Sequence, residues 1–124
     1  MIDLTGRRLW AYAAPADLRN GHAGLYDLAR HALRRHGCDI DGGDVVIFVN
    51  GFQTICKVLY KDDPVNPSSP WVIIHKRADR VTFPAVWEQS KKHAMELSMR
   101  ELRAIFAGAR EVRQVTKLPH RKAA

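Results

Sequence analysis

Apolar positions recur along the chain in two rhythms. Over residues 15–33 (PADLRNGHAGLYDLARHAL), Leu18, Gly21, Leu25, Leu28, Ala29, Ala32 and Leu33 fall on one side at helical spacing. Arg19, Arg30, Arg34 and Arg35 take other faces. The pattern predicts a helix that starts at the proline-marked turn and is stopped by Gly37, where a C-terminal cap belongs. A second helix is predicted over residues 98–108. There Ser98 and Glu101 make a capping box, Met99, Leu102, Ile105 and Phe106 form an apolar stripe, and Gly108 suits the far end.

Between the helices the rhythm shortens. Residues 44–50 (DVVIFVN) are a β-branched apolar run, the clearest strand signal in the sequence, and GFQ turns it into a second strand over 54–62 (TICKVLYKD). In that strand Ile55, Lys57, Leu59 and Lys61 share one parity and Cys56, Val58 and Tyr60 the other, so the alternation is imperfect. The prolines of residues 63–70 exclude that stretch from a ladder. Residues 71–77 (WVIIHKR) and 80–84 (RVTFP) read as further strands, and residues 8–14 as a short first one. The expected fold is a single α+β domain over residues 1–109. It has a mostly antiparallel sheet of four or five strands, the first helix packed on one face and the last completing the core. A basic tail follows over 110–124.

Two glycines need a reason, because glycine inside a helix costs up to about 1 kcal/mol relative to alanine. Gly21 and Gly24 lie on or beside the apolar stripe, so the first expectation is that they let the helix approach the sheet closely. The alternative is that one of them marks a bend near the helix start. Asp17 is expected in the first turn, where the helix dipole favours an acid. Arg19 is expected to pair with a carboxylate or with exposed carbonyls.

Charge changes the picture more than composition does. Lys and Arg number 20 against 13 Asp and Glu, a net +7, which favours polyanionic partners without bearing on fold. Lys76, Arg77 and Arg80 cluster at one strand end and the following turn. Lys57 and Lys61 share a face of the second predicted strand and extend that patch. Lys91, Lys92, Arg110, Arg113, Lys117, Arg121 and Lys122 add further charge. Trp71, Trp87, Phe52 and Tyr60 are aromatic candidates for stacking on bases, with Phe52 at the predicted hairpin tip.

Catalytic chemistry is harder to find. Asp39, Asp41 and Asp44 sit in a Gly-rich turn (CDIDGGD) that reads as a solvated loop and lacks the spacing of a calcium site. His31 and His36 do not share a helical face, and no phosphate-binding Gly-rich loop is present. The expectation is a protein that is not an enzyme and has no metal or cofactor. Cys38 and Cys56 read as reduced thiols. With no apolar leader and no stretch of about 20 apolar residues, the chain is expected to be soluble, cytoplasmic and without a membrane partner.

Several segments, taken in order, resemble one family. PADLRNGHAGL at residues 15–25 resembles the P-T-D-M-R-K-G-F-D-G-L signature of the small accessory proteins of insertion sequence sixty-six type elements, the second-reading-frame products often called TnpB. IFVN followed by KVLYKD resembles that family's F-V-x-x-N, basic hairpin tip and K-V-L-Y-W-D. HKRADRVTF resembles Y-K-R-L-E-x-G-x-F, and LSMRELRAIFAG resembles L-S-x-x-Q-L-x-x-L-L-x-G. The likeness spans about residues 7–108. The departures are specific. Residues 51–55 are uncharged where the family hairpin is Arg-rich, Lys61 replaces a tryptophan, residues 63–70 replace a shorter Gly-Asn-Gly turn, and Val81 replaces a glycine. The resemblance implies a non-catalytic part in transposition, with element DNA contacted through phosphates or the element's transposase as direct partner. It marks Asp17, Arg19, Gly21 and Gly24 as motif residues with a structural role. A degenerate nuclease, or a stray domesticated copy with no present activity, is the remaining reading.

Overall fold

Val45–Val49 (VVIFV) are all β-branched or aromatic, and all five are buried. A strand with no exposed side needs cover on both faces, and the fold supplies it. The computed structural model describes residues 4, 6–12, 14–18, 21–78, 94–106 and 109–116. These form, in chain order, β1 (Leu9–Tyr12), α1 (Gly21–Ala32), β2 (Val45–Val49), β3 (Ile55–Lys61), β4 (Trp71–Ala78), β5 (Ala94–Leu97), α2 (Met99–Phe106) and β6 (Ala109–Thr116). The strands make one six-stranded sheet in the order β5-β1-β2-β3-β4-β6. Only the β1–β2 pair is parallel, with Leu9 opposite Val45 and Trp10 opposite Val46. The other four pairings are antiparallel. A parallel pair needs a crossover, and α1 provides it. The result is the expected α+β fold on a mostly antiparallel sheet.

Each face of the sheet has its own core. On one, Val46, Phe48, Leu59, Trp71 and Ile73 pack against Leu25, Ala29 and Leu33, which carry the predicted stripe of α1 and the turn after it. On the other, Val45, Ile47, Val49, Cys56, Val58, Tyr60, Val72, Ile74 and Leu97 meet Leu102 of α2, with Met99 packed alongside. The imperfect alternation of β3 follows: Cys56, Val58 and Tyr60 fill one core while Leu59 fills the other. The capping box forms as expected. The Ser98 amide donates to Glu101 Oε1 at 3.0 Å, and the Glu101 amide donates to Ser98 Oγ at 3.1 Å. Gly37, at φ +100°, caps a 3-10 turn over Arg34–His36 that follows α1.

The structure departs from the sequence pattern at both ends of the chain. Among the described residues the sheet has six strands, where four or five were expected. The predicted strand over 80–84 lies outside the described residues, and two others enter. Residues of β5 (AMEL) are helix formers, yet they pair with β1 from Leu9–Leu97 to Tyr12–Ala94, so sheet pairing overrides propensity. The stretch from Arg110, expected as tail, enters β6 and pairs with β4 over its whole length, from Trp71–Thr116 to Ala78–Ala109. Strong charge is compatible with a strand at the end of a sheet order, where charged residues discourage further pairing.

Gly21 also departs from the first expectation. It has φ +66°, and a Cβ built on it would meet nothing within 4 Å. Close packing is therefore not its role. It turns the chain into α1 through a left-handed backbone conformation, which was the alternative. The helix consequently begins at Gly21 rather than after Pro15. Asp17 lies ahead of it and is exposed, and the first turn of α1 contains no acid. Arg19 lies outside the described residues. Since the constraint is φ and not space, Gly21→Ala and Gly21→Leu should destabilise similarly, by about 1–2 kcal/mol. Urea melts of the two variants check this; a leucine much worse than the alanine would restore the packing account.

Candidate nucleic-acid interface

The β2–β3 hairpin sets one end of the sheet, and the predicted basic residues divide according to their place relative to it. Strand pairing puts Arg77 opposite Ile55, Lys76 opposite Cys56 and His75 opposite Lys57. Successive side chains alternate between faces. Lys57, His75 and Arg77 therefore share the face of Leu59 and Ile73, which α1 covers. Lys76 shares the opposite face with Cys56. All four lie at the hairpin end; Arg77 is exposed and the other three are half-buried. The patch is thus an end of the sheet, split across both faces, and not a stripe on one.

Lys61 does not belong to it. It lies at the far end of β3, opposite Trp71, and is 9% exposed. The expectation that it extends the Lys57 patch is corrected by position and by burial: four residues along a strand carry it to the other end of the sheet. Its carbonyl and that of Asp62 accept hydrogen bonds from Arg7, whose guanidinium also lies over the Tyr60 ring. Arg80 lies outside the described residues, and Gly24 sits half-buried within α1.

The hairpin end is built by the motif segments themselves. Lys57 Nζ donates to the Leu18 carbonyl at 3.0 Å, tying KVLY to PADL. The Ala16 amide donates to the Val49 carbonyl at 2.9 Å. Asn50 clamps the turn: its Oδ1 accepts from the amides of Thr54 and Ile55 at 2.9 and 3.0 Å, and its Nδ2 donates to Thr54 Oγ1 at 3.1 Å. The Asn-Gly pair at residues 50–51 is a turn signal that sequence reasoning could have used for this residue. Burial lowers the Lys57 pKa below its ordinary value. His75 is lowered too, first by burial and then by the charges of Lys57 and Arg77.

The opposite end is differently made. Asp44, expected in a solvated loop, is 7% exposed. Its Oδ2 accepts from the Trp10 indole at 3.0 Å and the Asp39 amide at 2.9 Å, and it pairs with Arg8 at 3.0 Å. Arg8 also donates to the Gly37 carbonyl at 2.7 Å. Asp41 accepts from the Tyr26 hydroxyl at 2.7 Å, and Asp39 accepts from the Gly42 amide at 3.0 Å. These aspartates are spent on fixing the loop into β2. Among the described residues no group of three or more His, Cys, Asp or Glu is placed to hold a metal. Cys38 and Cys56 are buried free thiols, and burial pushes Cys38 up to about 12 and Cys56 well above the ordinary thiol range. No helix among the described residues is long and apolar enough to cross a membrane.

These features define a small basic α+β protein in which Lys57, Lys76 and Arg77 lie at one end of a doubly covered sheet. The family model described as IS66 Orf2 like protein matches residues 7–116, and the chain belongs to that family, whose members are accessory proteins of insertion sequences. Neither a curated protein nor a solved structure matches the chain significantly.

Two outcomes test this account of the ends. Asp44→Ala strands the buried Trp10 indole donor and the part-buried Asp39 amide and should cost roughly 2–4 kcal/mol in urea melts, at about 1–3 kcal/mol for the buried group and less for the other. At the hairpin end, the folded pKa of His75 lies below the unfolded value of about 6.5. The unfolded chain therefore binds this proton first. The contribution of neutral His75 is complete above about pH 6.5 and is lost as pH falls from there toward the folded pKa. His75→Gln should flatten the fall in melting temperature over that interval relative to the parent.

Proposed function

We propose that this chain is a non-catalytic accessory protein of an insertion sequence that supports transposition by holding DNA phosphates at the hairpin end of its sheet. The observation that carries the reading is the gathering of Lys57, Lys76 and Arg77 at that end, beside the hairpin and the segment over residues 15–18. A net charge of +7 supports it, because clustered cations on a basic chain neutralise phosphates and release counterions. Lys76 and Arg77 project to opposite faces of β4, so they suit a backbone that passes across the strand ends better than one laid flat on a face. Contacts of this kind position a protein without reading bases. Arg80, two residues after β4 in the sequence, is assigned to the same proposed contact, and the element ends are the DNA that transposition requires.

A salt titration with fluorescently labelled duplex DNA tests the reading. Each neutralised phosphate contributes about −0.9 to the slope of log affinity against log salt. The parent should show a slope on the order of −3 or steeper. Lys76→Ala with Arg77→Ala should flatten it by roughly 2 and weaken different sequences about equally. An unchanged slope removes the patch as the DNA contact. A parent that binds no DNA at low salt, but does bind the element's transposase, makes that protein the direct partner instead.

A further inference from the structure

Phe52 is the apolar anomaly of the hairpin end. It is 85% exposed, on a chain that buries the rest of its β2–β3 aromatic residues: Phe48 is fully buried and Tyr60 is 3% exposed. Exposing a phenyl ring forgoes the gain that burial of so large a side chain brings. Its position is held by the structure. The Asn50 side chain bonds Thr54 and Ile55, the Asn50 amide donates to the Ile55 carbonyl at 3.1 Å, and the Gln53 amide donates to the Asn50 carbonyl at 3.0 Å. Gln53 takes up φ +60° to close the turn. Gly51, between the clamp and Phe52, lies beside Pro15, where a Cβ would sit 3.8 Å from the Pro15 ring. The ring is therefore presented on a turn that is already ordered, so less entropy is lost when it is covered.

Its surroundings say what covers it. Ile55, the first residue after the turn, pairs with Arg77, and the next two positions pair with Lys76 and His75. Neighbouring strands lie about 4.8 Å apart, which brings these cations within one or two strand spacings of the base of the tip. An exposed aromatic beside backbone-binding cations is the arrangement that takes single-stranded nucleic acid: cations hold the phosphates and the ring stacks on a base. In an intact duplex the base faces are already stacked and closed to a ring. We infer that Phe52 is a stacking platform for an unpaired base, so the hairpin end prefers single-stranded DNA over duplex. This rests on the proposed phosphate contact and names the form of DNA that it takes.

Val65 provides an internal control. It is 87% exposed, but on the loop at the other end of β3, away from Lys76 and Arg77. The experiment measures binding of the full chain to a labelled single-stranded oligodeoxynucleotide and to the same sequence as duplex. Phe52→Ala should weaken single-strand binding about tenfold while changing duplex binding less than twofold. Phe52→Tyr should retain parental affinity, and Val65→Ala should match the parent on both probes. Thermal melts should show all three variants as stable as the parent, since neither side chain is packed. Phe52→Ala with unchanged single-strand affinity overturns the inference, as does an equal loss on both probes. If the Lys76→Ala, Arg77→Ala double variant still flattens the duplex salt slope, that failure belongs to the stacking platform alone. A parent that binds neither probe removes both readings together. Loss of binding to purified transposase on Phe52→Ala, with no effect on DNA, makes the tip a protein-docking point and overturns the platform.

Discussion

Burial of β2 on both faces is the constraint on which the rest of this fold depends. Val45–Val49 leave no side to solvent, so helices must cover each face of the sheet centre. Leu25, Ala29 and Leu33 cover one, and Leu102 covers the other. Once both faces are closed there, exposed polar chemistry is displaced to the strand ends and the sheet margins. That is why Lys57 and Lys61, alike in parity and in residue type, have different fates. Position along β3, and not face, decides which of them reaches solvent. In the proposed DNA contact, the strand ends are accordingly where the charged side chains meet their partner.

The two ends of the sheet use charge in opposite ways. At one, Asp44 collects an indole N–H, a backbone amide and the Arg8 guanidinium, and Arg7 takes two backbone carbonyls. Charges there are used to close the molecule. At the other, the charge of Lys57 is set beside His75 and Arg77, and the three lie on one face. Burial, and after it the neighbouring charges of Lys57 and Arg77, disfavours the charged form of His75, which is the physical content of its lowered pKa.

The core was legible in the sequence because its signals are local and mutually consistent. The VVIFV run, the stripe from Leu25 to Leu33 and the Ser98–Glu101 box each specify an element without help from distant residues. What escaped were elements that exist only through partners. AMEL has the composition of a helix and becomes β5 by pairing with β1, while the charged stretch of β6 reads as tail until β4 offers it a ladder. Gly21 stands out in the sequence, but its role needed a backbone angle, which a stripe of apolar residues does not encode. The basic patch was partly legible. Lys76 and Arg77 are adjacent in sequence and share an end, whereas Lys57 joins them only through register, and Lys61 leaves them for the same reason.

Lys57 shows how structure and proposed function meet in one side chain. Its ammonium is held by the Leu18 carbonyl, so it fixes the segment that leads into α1. A carbonyl shares one of the three donors of an ammonium and leaves the charge intact. The charge is therefore anchored without being neutralised by that bond, in a half-buried place where its field is less screened than on open surface. An anion that reaches the hairpin end meets a cation whose position is already paid for by the fold, with Arg77 free to adjust beside it. Lysine at this position is the tie that seats one motif segment on another, and in the proposed DNA contact it is also the fixed charge. The tie accounts for a cation in a half-buried place, where burial by itself disfavours the charged form.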